Sequence, residues 1–220
     1  MDRRQSRTLF YDPVKKEITA PLPDKAAENI HGCIGSIIDK EGKLWVGCLE
    51  GVYIIDLHSR SSKGEFQYRH LNYKLDDPSF RLIEKITCFY QVRTVLMAGQ
   101  NGYGIYQRKI DAQGKEQFIS YSTAQGLPNN SVRGILEDNN GNLWISTNNG
   151  LSCYHQAENR FINYTIQDGL IDTQFYWNAS CGSSHDLLYF GSVGGLVAIE
   201  VIVRRCLFQL QSTFHPPADR

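Results

Sequence analysis

Residues 143–150 read LWISTNNG, and the same form returns as LWVGCLEG at 44–51, LMAGQNG at 96–102 and LYFGSVGG at 188–195. Each is a pair of large apolar residues followed about six residues later by a glycine. The glycines at 51, 102, 150 and 195 step forward by 51, 48 and 45 residues. A period of roughly 40–50 residues made of short strands and tight turns is the mark of a β-propeller, one four-stranded blade per repeat. The expected fold class is therefore all-β: a propeller of about four four-stranded blades, with helix content near zero.

Working outward, the repeat containing residues 143–150 is the most complete. Strands are expected at 132–138, 143–146, 151–154 and 161–165, with a turn at Asn139-Asn140-Gly141. Asn149-Gly150 is a strong hairpin signal, because type I′ turns need positive φ at both central positions. The first repeat repeats this plan at 34–39, 44–47, 52–56 and 66–71. Val52-Tyr53-Ile54-Ile55 is apolar on both faces, which points to a sheet covered on both sides. The second repeat replaces tryptophan by Met97, and Gln91-Val92-Arg93 lacks the turn glycine. The fourth runs from Phe175 to Glu200 with no evident outer strand. Residues 8–20 read as the last two strands of a preceding blade, which could close with the C-terminal strands into one blade. The organisation expected is thus 1–30 as the end of a preceding blade, repeats at 31–80, 81–126, 127–170 and 171–200, and an atypical tail at 201–220 with room for one more strand.

Composition removes several function classes. Lysine plus arginine balance aspartate plus glutamate at 23 each, so the electrostatic term that drives nucleic-acid binding is missing. No apolar run approaches the ~18–20 residues that cross a bilayer, and the charged start Met1-Asp2-Arg3-Arg4 is not followed by the apolar run of a secretory leader. The chain reads either as cytoplasmic or as a piece of a longer exported protein. Its six cysteines (33, 48, 88, 153, 181, 206) form no Cys-x-x-Cys pair and read as buried free thiols, Cys153 sharing a repeat position with Ile54, Ile105 and Ala198.

Residues 118–170, FISYSTAQGLPNNSVRGILEDNNGNLWISTNNGLSCYHQAENRFINYTIQDGL, closely resemble the two-component regulator propeller repeat. The resemblance rests on Gly126-Leu127-Pro128-Asn129, Asp138, Gly141, Leu143-Trp144, Thr147, Gly150-Leu151 and Gly169-Leu170, and again on Asp39, Gly42, Leu44-Trp45 and Gly51. Residues 174–199 look like the last blade of such domains, so the likeness covers roughly 8–200. It implies the extracytoplasmic, periplasmic sensor of a bacterial hybrid histidine kinase, often one that regulates polysaccharide use. There, two propellers of typically seven blades precede further receptor domains and the kinase. This chain departs in holding about four blades plus a fragment, in lacking a kinase, and in its last twenty residues. A partial or truncated ring is implied, and the tail is what truncation or a shifted reading frame would produce.

No catalytic constellation stands out. His31, His58, His70, His155, His185 and His215 lack metal-ligand spacing, no nucleophile elbow occurs, and Gly102-Tyr103-Gly104 sits in a hairpin rather than before a helix. No metal or cofactor is called for. Trp45 and Trp144 read as blade-to-blade packing, with Asp39 and Asp138 bracing their own turns. The best binding candidates are the inter-blade connections 125–131 and 167–174, on the same propeller face as the turns at 49–50, 100–101 and 148–149. Asn129, Asn130, Asp172 and Gln174 offer hydrogen bonds to sugar hydroxyls, and Trp177 a stacking ring, with Tyr176 beside it. Asparagine is also a good turn former, so each position has a purely structural reading. Three functional readings follow: a non-catalytic ligand-sensing propeller segment answering to a small molecule or oligosaccharide, a lyase or hydrolase centred on the propeller axis, and a scaffold for another protein. Open terminal blades predict self-association, a homodimer among its forms.

Overall fold

The computed structural model describes residues 10–13, 16–19, 22, 30, 32–48, 51–62, 64–71, 86–92, 95–183, 187–202 and 205–207. A two-stranded hairpin, β1 (Phe10–Asp12) with β2 (Glu17–Thr19), precedes four four-stranded antiparallel sheets. These are β3 (Gly35–Ile38) to β6 (Phe66–Leu71) through β4 (Lys43–Cys48) and β5 (Gly51–Arg60), then β7 (Ile86–Val92), β8 (Val95–Gln100), β9 (Gly104–Ile110) and β10 (Glu116–Tyr121). The third holds β11 (Val132–Glu137), β12 (Leu143–Thr147), β13 (Gly150–His155) and β14 (Arg160–Tyr164). The fourth holds β15 (Phe175–Gly182), β16 (Leu187–Ser192), β17 (Gly195–Ile202) and β18 (Arg205–Leu207). Each sheet pairs its strands in chain order, as propeller blades do. The only helical elements among the described residues are two single 3₁₀ turns, Thr123–Gln125 and Ile166–Asp168. The fold is a partial β-propeller of four blades.

Two compact units are present: residues 1–101 with 106–119, and residues 102–105 with 120–220. In the first, Trp45, Val52 and Ile54 pack with Ile86 and Tyr106. The opposite face of the same sheet carries Val46, Tyr53 and Ile55 against Leu22 and Ile30, so this sheet is covered on both faces as its sequence predicts. In the second, Trp144, Leu151 and Cys153 pack with Phe175, Leu188, Phe190, Val197 and Ile199. Trp45 and Trp144 occupy equivalent places. Trp45 lies opposite Ile37 and Ile54, and Trp144 opposite Leu136 and Cys153.

Four sequence expectations are corrected. The repeat glycine of the second blade is Gly104, not Gly102: Gly51, Gly104, Gly150 and Gly195 each open the third strand of a blade. A Cβ on Gly51 or Gly104 would overlap the carbonyl oxygen of Leu71 or Tyr121, the last residues of the outer strands. Nothing approaches Gly102. Counting from Gly104, the partner of Ile54 and Cys153 is Gln107, and Ile105 matches Val52 and Leu151. The fourth blade does have an outer strand, β18, which pairs with Glu200, Val201 and Ile202. Cysteine burial is divided. Cys48, Cys88 and Cys153 are buried, whereas Cys33 and Cys181 are exposed because they sit at blade ends. Leu49-Glu50, His31, His185, the side chain of Cys206 and most of the tail lie outside the described residues.

The two glycines separate cleanly by mutation. Gly102→Ala has space and meets only the strain of φ +94°, about 1 kcal/mol, whereas Gly104→Ala adds a backbone overlap and should cost roughly 2 kcal/mol more. Equal shifts in the urea midpoint would reject this register.

The thiols make a second test. Cys33 and Cys48 sulfurs lie 3.1 Å apart, and a hydrogen bond from Cys48 holds the Cys33 thiol down at about 7, against opposing burial. Burial pushes the Cys88 thiol up to about 12. Iodoacetamide slightly above neutral pH should therefore reach Cys33 long before Cys88, and the rate at Cys33 should fall as pH drops through about 7. Equal rates at both sites, read by peptide mass, would contradict this geometry.

Candidate functional site

The loop face of the second unit is built by repeated caps. Ser122 and Gln125 form a capping box around the turn Thr123–Gln125, which Gly126 ends at φ 108°. Thr165 and Asp168 do the same for Ile166–Asp168, which Gly169 ends at φ 100°. These boxes explain the recurring glycine-leucine motif: glycine takes the left-handed position and leucine (Leu127, Leu170) turns back into the core. The following residues then knit the connection to the neighbouring hairpins. Asn130 accepts at its carbonyl from the N–H groups of Gly102 and Gly104, Asn148 N–H donates to Ser131, and Gly150 N–H donates to Thr173 at 2.7 Å.

Three of the five sequence-selected residues serve this scaffold. Asn129 Oδ1 accepts from Ser131 N–H, Asn130 Oδ1 from Thr123 N–H and Asp172 Oδ1 from Gln174 N–H, each at 2.8 Å. The other two, Gln174 and Trp177, line one cavity of about 400 Å³ together with Arg133, Asn148, Phe175, Tyr176 and Val193.

Two irregularities in innermost strands shape that cavity. In β11 the register slips between Val132 and Gly134, so Arg133 is a bulge residue aimed out of the ladder. In β15, five steps from Phe175 to Ser180 face two steps from Ser192 to Phe190. The extra length carries Tyr176 and Trp177 outward, 58% and 51% exposed, and Asn178 takes up the strain at φ 54°. Bulges at a loop face re-aim side chains, and here they aim two rings and a guanidinium into one space.

Arg133 is the residue that the sequence reading missed. Its guanidinium carbon sits 5.0 Å from the Trp177 ring centre, and Nη2 donates to Asn148 Oδ1 at 3.1 Å. Nε and Nη1 are buried without a partner, and burial holds the group below the ordinary arginine range. An unmade buried hydrogen bond costs about 1–3 kcal/mol, which exceeds the ~0.5–1 kcal/mol of a partly exposed cation–π contact. Arg133 is therefore held in a state that a ligand acceptor would improve. The available signal was a charge between Val132 and Gly134, at the apolar start of the strand.

The first unit holds another cavity, about 320 Å³, beside Trp45, Arg69, Arg108 and Glu116. Its charges are already matched. Glu116 receives Arg108 Nε at 2.5 Å and Arg69 Nη2 at 2.7 Å, and Arg108 stacks over Trp45. This ensemble reads as packing. Among the described residues, no group of histidine, cysteine and carboxylate side chains could hold a metal.

Fold and site together define a partial β-propeller whose loop face carries a cavity lined by rings, amides and a guanidinium. Residues 126–149 match the family described as two component regulator propeller, and the chain carries that repeat. It is 27% identical over 163 residues to a histidine kinase of Formosa agariphila, histidine kinase P4. The match covers 74% of this chain but only 11% of that protein. Among solved structures, the chain is similar to the extracellular domain of a hybrid two-component system from B. thetaiotaomicron. That likeness has a TM-score of 0.65 and 23% identity, over 86% of this chain and 27% of the other. PorZ, a surface component of the type-IX secretion system of Porphyromonas gingivalis, matches with a TM-score of 0.62 and 16% identity, over 86% and 28%. At these identities the structures establish the fold.

The two arginines should respond oppositely to truncation. Arg108→Met strips Glu116 of a buried partner and should cost about 1–3 kcal/mol in denaturant unfolding. Arg133→Met removes two orphaned donors and should be neutral or stabilising. A larger loss at Arg133 than at Arg108 would mean that the bulge guanidinium is structural.

Proposed function

We propose that this chain is a ligand-sensing propeller segment, without catalytic activity, of a two-component receptor on the extracytoplasmic, periplasmic side, and that its ligand is a carbohydrate. The observation that carries this reading is the cavity beside Trp177. Its lining offers two exposed rings, two side-chain amides and a guanidinium, with no carboxylate or histidine to pair with the Tyr176 hydroxyl as an acid–base couple. Rings stack on the apolar face of a sugar and amides bond its hydroxyls. Gln174 and Trp177 contact the ligand on this reading, while Asn129, Asn130 and Asp172 set the loops that hold them. Similarity to a histidine kinase and to a hybrid two-component extracellular domain supports the receptor context.

One further observation supports membership in a longer array. The residue after the repeat glycine is buried in three blades (Val52, Ile105, Leu151) but 55% exposed in the fourth, at Leu196. That face suits another blade of a larger receptor, or a second copy in a homodimer, and is what a scaffold reading would also use.

Calorimetry of the chain against a panel of plant and algal oligosaccharides tests the proposal. At least one glycan should bind, Trp177→Ala should abolish the signal, and Asp172→Ala should weaken it several-fold through the loop. Chromatography should show the bound glycan unchanged after long incubation. Cleavage of the glycan would move the chain to the enzyme reading. Absence of any glycan binding, with a partner protein captured on Leu196, would move it to the scaffold reading.

A further inference from the structure

The cations that line the cavity beside Trp45 each have a carboxylate partner. Arg69 and Arg108 share Glu116, and Lys43 meets Glu41 at 2.6 Å. Arg133 differs: two of its three nitrogens are buried and unpartnered, and the third reaches only a neutral amide, Asn148. No carboxylate lines its cavity. A guanidinium presents paired N–H groups in a plane, the arrangement that an oxyanion fills with two parallel hydrogen bonds.

We propose that this cavity receives an acidic group, so that the saccharide sensed is an acidic one bearing carboxylate or sulfate ester oxygens, with Arg133 as its reader. This deepens the proposed function and rests on it. The oxyanion takes the Nε or the Nη1 donor, each of which forks with Nη2 beside it, while the amides of Asn148 and Gln174 stand ready for its remaining oxygens or the adjacent hydroxyl. Both arginine nitrogens are covered in the free chain, so entry requires part of the lining to move, and the Trp177 ring beside the guanidinium is the part placed to do so. The bulge permits that movement: Trp177 is half exposed, and the residues from Tyr176 to Ala179 fall between the paired positions Phe175 and Ser180. Displaced, the ring is free to stack on the sugar whose acidic group it has just uncovered. The site thus distinguishes an acidic saccharide from its neutral counterpart by a group that stays unsatisfied unless the acid is present.

The test compares acidic and neutral oligosaccharides of equal length on the full chain: oligogalacturonates and sulfated galactan fragments against neutral galactans. Calorimetry and tryptophan fluorescence are read together. At least one acidic series should bind about tenfold or more tightly than the neutral series, weaken with added salt, and change the fluorescence of the wild type but not of Trp177→Phe. Arg133→Gln should lose that preference, and Arg133→Lys, which keeps the charge without the planar fork, should recover only part of it. The exposed Arg160→Gln serves as a control with unchanged binding. Equal binding of both series, with Trp177→Ala still abolishing it, overturns the acidic specificity and leaves the saccharide reading in place. Acidic binding that survives Arg133→Gln overturns the assignment of the reader. Failure of both series to bind overturns the two together.

Discussion

A tryptophan can be buried between blades only if its indole N–H is satisfied, and one carboxylate does this at each equivalent site. Trp45 Nε1 donates to Asp39 Oδ2 at 2.7 Å, and Trp144 Nε1 to Asp138 Oδ2 at 3.0 Å. The other oxygen of each carboxylate is not idle. Asp39 Oδ1 accepts from the N–H groups of Glu41 and Lys43, and Asp138 Oδ1 from those of Asn140 and Asn142. The carboxylates are themselves buried and fully used, so neither the charge nor the indole is stranded. One side chain thereby fixes the hairpin turn and the core ring at once. Trp144, so placed, stacks on Tyr164 and meets the core that joins the third and fourth blades. The loop face depends on that stacking, because its connections are only as fixed as the strands they join.

Much of this was legible because the turn chemistry is local. Asp39, Asp111 and Asp138 each precede a glycine by three residues, and each accepts the glycine N–H at its own carbonyl. Asp and Gly at that spacing announce the turn wherever it falls, which is why strand positions could be read closely. In the second blade the aspartate turn joins β9 to β10, two hairpins later than in its neighbours, and Gln117 stands where a tryptophan would be. A blade without the buried indole keeps the turn and drops the reason for its usual place.

The misreadings have equally physical causes. Gln-Asn-Gly-Tyr-Gly at 100–104 contains two glycines, and type I′ logic selects the first; contact with the outer strand selects the second. That contact is a tertiary fact with no local signature. Strand β18 was legible only as room for one more strand in the tail, because three residues paired through backbone bonds need no alternation of side chains. In the site, asparagines and aspartate drew attention for hydrogen-bonding capacity, and Asn129, Asn130 and Asp172 each give one oxygen to a neighbouring N–H group. Gln174 and Trp177 reach the cavity because the bulge in β15 turns that segment outward.

Arg108 and Arg133 show how placement separates architecture from recognition in one residue type. Counted from the repeat glycines, Arg108 stands where Ile55, Tyr154 and Ile199 stand in other blades, a core position that an arginine can hold only with its charge answered. Glu116 answers it, and the aliphatic stem and flat guanidinium then pack on Trp45 as a core side chain would. Arg133 sits on a first-strand bulge, where the second blade has Thr87, under a ring that only partly compensates its burial. Selection for stability alone favours filling or removing such a group. Its place in the lining of a loop-face cavity is the feature of this chain that blade packing leaves unexplained.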